Sequence, residues 1–192
     1  IVRRVLDKRP FLIVPDGGLT VKSQGWVENA AHATLLATER PNAAVGSIYN
    51  VADSYSLSVR QIAEIIAEEL NHSWEIISLP HEVATSTRPL LTSWSSSHRV
   101  LDIGPTVRDL GYKDLVDPIE AWRLAARWLA DNPLEPGGEL EKRLQDPFEY
   151  ETEDRQYQIW RECRERLLSA EWSTQPGFSS AYVGRVPNPA DS

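Results

Sequence analysis

The chain has 192 residues, 41% of them hydrophobic and seven of them Trp, so it can bury a core and is not a disordered composition. Its 28 acidic and 20 basic residues leave a net charge of −8, which gives no footprint for nucleic acid or an anionic membrane. The single Cys163 excludes an internal disulfide framework and a cysteine-based zinc site, and the apolar runs are too short to span a bilayer. A reducing, cytoplasmic setting is the expectation.

The chain contains no Met and opens on Ile1-Val2, which predicts that it is part of a longer protein. Phe11 to Val14, between Pro10 and Pro15-Asp16-Gly17-Gly18, reads as a buried strand ending in a turn. Trp26 to Glu39 reads as a helix with Val27, Ala30, Ala31, Leu35 and Leu36 toward the core, stopped by Pro41. Ser47 to Val51 is β-branched and aromatic and predicts a second strand. Ser58-x-x-Gln61 is a capping box opening a helix whose Val59, Ile62, Ala63, Ile66 and Leu70 form one stripe; Asn71 stops it. Trp74 to Leu79 is a third strand, ended by Pro80. The alternation of strand and helix argues for an α/β layout with parallel strands.

From His81 to Arg99 no periodicity is legible, and Thr92 to Ser97 is a Ser-rich loop carrying Trp94. A short helix is expected between Asp102 and Gly111. Asp117-Pro118-x-Glu120 then starts a helix with Ile119, Trp122, Ala126 and Leu129 on its buried side, ended at Asn132-Pro133. Pro133 to Gly138 is a linker. A last helix is expected from about Glu151 to Ala170, with Tyr157, Trp160, Arg164, Leu167 and Leu168 on one face, and beyond it an extended or disordered tail. The resulting division is 1–132, a linker and helix over 133–170, and a tail over 171–192.

Several motifs are absent from the sequence. No GxGxxG or Walker loop can be built from the ten glycines, and none of the six tyrosines has a Lys four positions on. His32, His72, His81 and His98 have no metal-ligand spacing on one element, and no G-x-S-x-G elbow is present.

What is present, in order, resembles the C-terminal part of an extended short-chain dehydrogenase/reductase, the NAD-dependent epimerase/dehydratase group. Pro15-Asp16-Gly17-Gly18 leading to Trp26-Val27-Glu28-Asn29-Ala30 resembles its "D-G-G … Y-V-x-D-V-A" passage. Gly46 to Val51 resembles its "G-x-x-Y-N-V", and Ser58 to Ala67 the helix that follows. Asp102 to Tyr112 resembles "D-x-S-K-A-x-x-x-L-G-Y", and Pro118 to Trp128 the closing helix. The resemblance covers about residues 1 to 132. Asn29 in place of Asp, and Gly104-Pro105 in place of Ser-Lys, depart from the pattern.

The resemblance implies a fold made of the last strands of a Rossmann-type parallel sheet, a small mostly helical substrate-binding lobe and a C-terminal helix. It implies a substrate-binding portion of an NAD(P)-dependent oxidoreductase, epimerase or dehydratase. NAD or NADP and the catalytic Tyr/Lys pair would then be supplied by an N-terminal Rossmann half or a partner chain, with no cofactor bound by this chain alone. Lys22 stands where nucleotide-sugar members often carry an Arg; it is a substrate contact or a solvated loop lysine. Trp26 is a pocket wall or a core anchor. Asn50 is expected to end a strand at the sheet edge, where ligands bind, or to serve as a turn residue. Arg88 and Arg99, flanking the Ser-rich loop, are anion-holding candidates or surface residues, and Trp94 is the aromatic candidate in that loop. The alternative function is a noncatalytic interaction module docking on a partner chain. Whether the last helix forms a homodimer is left open.

Overall fold

A computed structural model describes residues 1–91, 95–174, 177, 179–180 and 184–185. In chain order they form helix α1 (Val2–Leu6), strand β1 (Phe11–Pro15), helices α2 (Val27–Glu39), α3 (Pro41–Ala44) and α4 (Val59–Glu69), and strand β2 (Glu75–Leu79). Helices α5 (Gly104–Leu110), α6 (Pro118–Asp131), α7 (Glu139–Lys142) and α8 (Tyr150–Leu168) follow, then the short strands β3 (Ser179–Ser180) and β4 (Gly184–Arg185). The contacts divide the chain into two compact units, Ile1–Glu153 and Asp154–Ser192.

The first unit is α/β. Strands β1 and β2 pair in parallel, with Phe11 opposite Glu75, Ile13 opposite Ile77 and Pro15 opposite Leu79. All five residues of β1 are buried, as a parallel strand covered on both faces requires. Leu12 and Val14 pack on Ala63 of α4, with Ile76 and Leu90 alongside. A second cluster joins α4 to α6: Leu57, Ile62, Ile66 and Ala126 enclose Val5 of α1, with Ile119 and Trp122 against them. A third joins α2 to α5 through Ala33, Leu36, Leu110 and Tyr112.

Local chemistry sets the helix ends. Ser58 accepts the Gln61 N–H and the Gln61 side chain accepts the Ser58 N–H, so the capping box is closed. Asn71 follows α4 with φ +52°, and the His72 N–H reaches back to the Ala67 carbonyl at 2.8 Å. Gly111 ends α5 at φ +61°. Asp117 accepts the N–H of Ile119 and Glu120 at the start of α6.

Four regions differ from the sequence reading. In α2, Val27, Ala31 and Leu35 are exposed, and the buried face is formed by Asn29, Ala33 and Leu36. Ser47 to Val51 forms no strand: among the described residues no neighbour ladders with it, Ile48 is 94% exposed, and the Tyr49 hydroxyl donates to the Ala43 carbonyl at 3.0 Å. β-propensity records a fit to a pleated, half-buried surface, and here no such surface is supplied. The strands therefore pair β1 to β2 directly, with three helices between them in sequence. The His81–Arg99 stretch holds a 3-10 turn at Thr85–Leu91, which buries Ala84, Thr87 and Leu91. Its three-to-four-residue spacing over so short a span hides it from helix and strand patterns. At the start of the chain, α1 carries the fully buried Arg4.

The second unit consists of α8 from Asp154 onward and the β3–β4 antiparallel pair. In α8 the Tyr157 and Trp160 rings stack at 6.0 Å, with Arg161 over Tyr157 and Arg164 over Trp160. Leu167 and Leu168 are exposed. Among the described residues, no helix is long and apolar enough to cross a membrane.

Candidate functional site

After β1 the chain turns through Asp16-Gly17-Gly18, with Gly17 at φ +69° and Gly18 at φ +68°. A Cβ on Gly18 would meet the backbone nitrogen of Arg60 at 3.0 Å and its Cα at 3.2 Å. The Gly-Gly turn therefore serves the close approach of α4. At this turn the space beside Gly18 is taken by Arg60 of α4.

Beyond the turn, the 20–26 segment runs extended between α4 and the 96–101 loop. Val21 pairs with Ser58 antiparallel and Lys22 with Arg99 parallel. The Arg99 N–H donates to the Val21 carbonyl at 3.0 Å, and the Ser23 N–H donates to the Arg99 carbonyl at 2.8 Å. The Thr20 hydroxyl donates to the Ser96 carbonyl at 2.9 Å, and the Leu101 N–H to the Ser23 hydroxyl at 2.8 Å. These bonds bring Lys22 and Arg99 side by side from distant parts of the sequence. Partial burial, and next the Arg99 charge, hold the Lys22 ammonium below its usual lysine range.

Lys22 lines a cavity of about 280 Å³ with Thr20, Leu57, Ile62, Leu90 and Trp122 among its walls. Leu57, Val59 and Ile62, from α4 and its approach, give it an apolar side, Thr20, Ser23 and Gln24 a polar one, and Lys22 is the charged side chain among the described lining residues. Such a cavity suits a small ligand with an anionic group.

Gln24 and Trp122 also line a second cavity of about 330 Å³, together with Gly25, Trp26, Asp53, Ala121 and Ala125. The Trp122 Nε1–H donates to Gln24 Oε1 at 3.3 Å. Trp26 precedes α2, and its N–H donates to Asp53 Oδ1 at 3.0 Å. Asn29, fully buried, fixes that carboxylate: its Nδ2 donates to Asp53 Oδ1 and to the Val116 carbonyl, each at 2.9 Å. Asn29 Oδ1 accepts the N–H of Leu115 and Val116 at 2.8 and 3.0 Å. Every polar atom of this amide is thus used.

The remaining candidates fall elsewhere. Asn50 does not end a strand. It is exposed, its Nδ2 donates to the Asp102 carbonyl at 3.1 Å, and its own carbonyl accepts the Thr106 hydroxyl, so it ties a loop to α5. Arg88 is exposed on the 3-10 turn, donates to the Glu82 carbonyl at 3.0 Å, and lines neither cavity. Trp94 lies outside the described residues, as does most of the 171–192 tail. Sequence reasoning passed over Gln24, Asp53 and Trp122 as site residues. Trp122 is legible in the sequence only as a core position of α6, and no local pattern singles out Asp53.

No family model matches the chain. The uncharacterized protein YbjS of Escherichia coli (strain K12) is 26% identical over 140 residues, which is 63% of this chain and 42% of YbjS. Among solved structures, the UDP-glucuronic acid 4-epimerase from Bacillus cereus in complex with NAD is similar with a TM-score of 0.53 at 14% identity, over 69% of this chain and 38% of that one. A UDP-galactose 4-epimerase is similar with a TM-score of 0.51 at 24% identity, over 69% of this chain and 40% of that one. The chain spans about two fifths of the length of the relatives it matches. At these identities the likeness is one of fold: the chain shares the α/β architecture of part of these epimerases.

Proposed function

We propose that the chain forms the substrate-binding portion of an NAD(P)-dependent oxidoreductase, epimerase or dehydratase. Its substrate is a sugar-like or other small carbonyl or alcohol compound bearing an anionic group. NAD or NADP would supply the hydride chemistry, held together with the catalytic Tyr/Lys pair by residues outside these 192. This chain's part is to bind and orient the substrate. The observation that carries the reading is Lys22 in the wall of a cavity of mixed polar and apolar lining, with Arg99 beside it, on a fold similar to two nucleotide-sugar epimerases.

Lys replaces the bidentate fork of an Arg with a point charge, so the anionic group is held by charge more than by geometry. Calorimetric titration of the natural full-length protein with NAD⁺, NADP⁺ and UDP-sugars tests the reading. One of the two cofactors binds, and Lys22→Ala weakens the anionic substrate by about tenfold or more while leaving cofactor affinity in place. Absence of binding by either cofactor refutes the oxidoreductase assignment. Undiminished substrate affinity in Lys22→Ala refutes the site.

A further inference from the structure

The second cavity has a different chemistry from the first. Asp53 is 8% exposed, yet no Lys, Arg or His forms a salt bridge with it among the described residues. Taking a carboxylate out of water without a counter-charge is costly, so buried carboxylates are as a rule paired with a cation. Both hydrogen bonds to Asp53 fall on Oδ1, from the Trp26 N–H and the Asn29 amide, and both donors are neutral. Oδ2 receives none among the described residues and belongs to a residue lining the cavity.

Two indoles, Trp26 and Trp122, form the aromatic part of the wall, and no basic side chain lines it among the described residues. An indole face carries the negative end of the ring quadrupole and attracts cations. The Trp26 Nε1 is buried without a hydrogen-bond partner among the described residues, so none of these commits that ring elsewhere. Ala121 and Ala125 keep the α6 side of the cavity open; larger side chains there would fill it. A volume of about 330 Å³ suits a small organic group.

We propose that the cavity between Trp26 and Trp122 binds an organic cation, an amine or quaternary ammonium group on a small apolar body, with the Asp53 carboxylate as its counter-charge. An anion is disfavoured there by the same carboxylate. The neighbouring cavity carries Lys22 and has the opposite preference, although Gln24 and Trp122 are common to both. The inference does not depend on the proposed oxidoreductase role.

The test is calorimetric titration of the natural full-length protein with choline, with benzylammonium and with 3,3-dimethylbutan-1-ol, the neutral counterpart of choline. The cations bind, and the neutral compound binds about tenfold more weakly or not at all. Asp53→Asn keeps an oxygen for Trp26 and Asn29 but removes the charge, and weakens cation binding at least about tenfold. Ala125→Leu, on the helix surface facing the cavity, blocks cation binding by filling the space and covers the case in which Asp53→Asn fails to fold. Lys22→Ala does not weaken cation binding, which separates this site from the proposed substrate cavity. Equal affinity for choline and its neutral counterpart overturns the proposal, as does cation binding that survives both cavity substitutions. Failure of either cation to bind at millimolar concentration overturns it as well.

Discussion

Replacing Arg4 with Met tests what fastens the beginning of the first unit to its end. Arg4 is fully buried on α1. Its Nη1 lies 2.6 Å from Asp146 Oδ2 and its Nη2 3.1 Å from Asp146 Oδ1, while its Nε donates to Glu153 Oε1 at 3.2 Å. The guanidinium also sits 5.1 Å above the Phe148 ring. The two carboxylate side chains are 5% and 2% exposed, so removing the cation leaves both nearly dry. Breaking a buried ion pair from one side costs about 3–5 kcal/mol. Arg9 remains 3.9 Å from Glu153 and compensates in part, which places the loss near the lower end, about 3 kcal/mol.

With a urea slope of about 2 kcal/mol/M, the unfolding midpoint falls by about 1.5 M. Urea unfolding of the chain and of Arg4→Met at pH 7 measures the loss. A loss below about 1 kcal/mol would refute the reasoning.

Further outcomes concern the site and its supports. Asn29→Asp removes the two amide donors and sets a second carboxylate beside the buried Asp53; it lowers stability by about 3 kcal/mol at pH 7 in thermal unfolding and recovers part of this at pH 5. Burial pushes the Asp117 carboxyl up, but hydrogen bonds from Tyr55 and from the N–H groups of Ile119 and Glu120 outweigh it and hold it below its usual range. Its contribution to stability is therefore complete above the ordinary aspartate range and is lost as pH falls through the lowered value. Asp117→Ala costs about 1 kcal/mol at pH 7, and its melting temperature falls less steeply below about pH 4 than that of the parent. Because Lys22 is held below the usual lysine range by burial and by Arg99, affinity for an anionic substrate declines with rising pH before an ordinary lysine would lose its proton. A pH series of titrations reads this decline directly, and Lys22→Arg abolishes it.

Local physics made much of the fold legible in the sequence. The buried strand at Phe11, the capping box at Ser58, the Asp117-Pro118 start and the glycine stop at Gly111 depend on neighbours within a few residues, so the sequence carries them openly. The parallel α/β layout followed from their order. The Ser47–Val51 segment shows where this fails: a β-rich composition becomes a strand only when a partner backbone lies alongside.

The site divides the same way. Lys22 and Trp26 stood out by residue type and position, but their setting required the folded chain. Only tertiary structure placed Arg99 beside Lys22, turned Trp122 into a wall of both cavities, and buried Asp53 against Trp26 and Asn29. Only tertiary structure, too, closed Arg4 against Asp146 and Glu153 across nearly the whole first unit. The physical reason is common to all of these. Capping and periodicity are short-range and written residue by residue, whereas burial, charge pairing and cavity walls depend on which distant segments the core brings together.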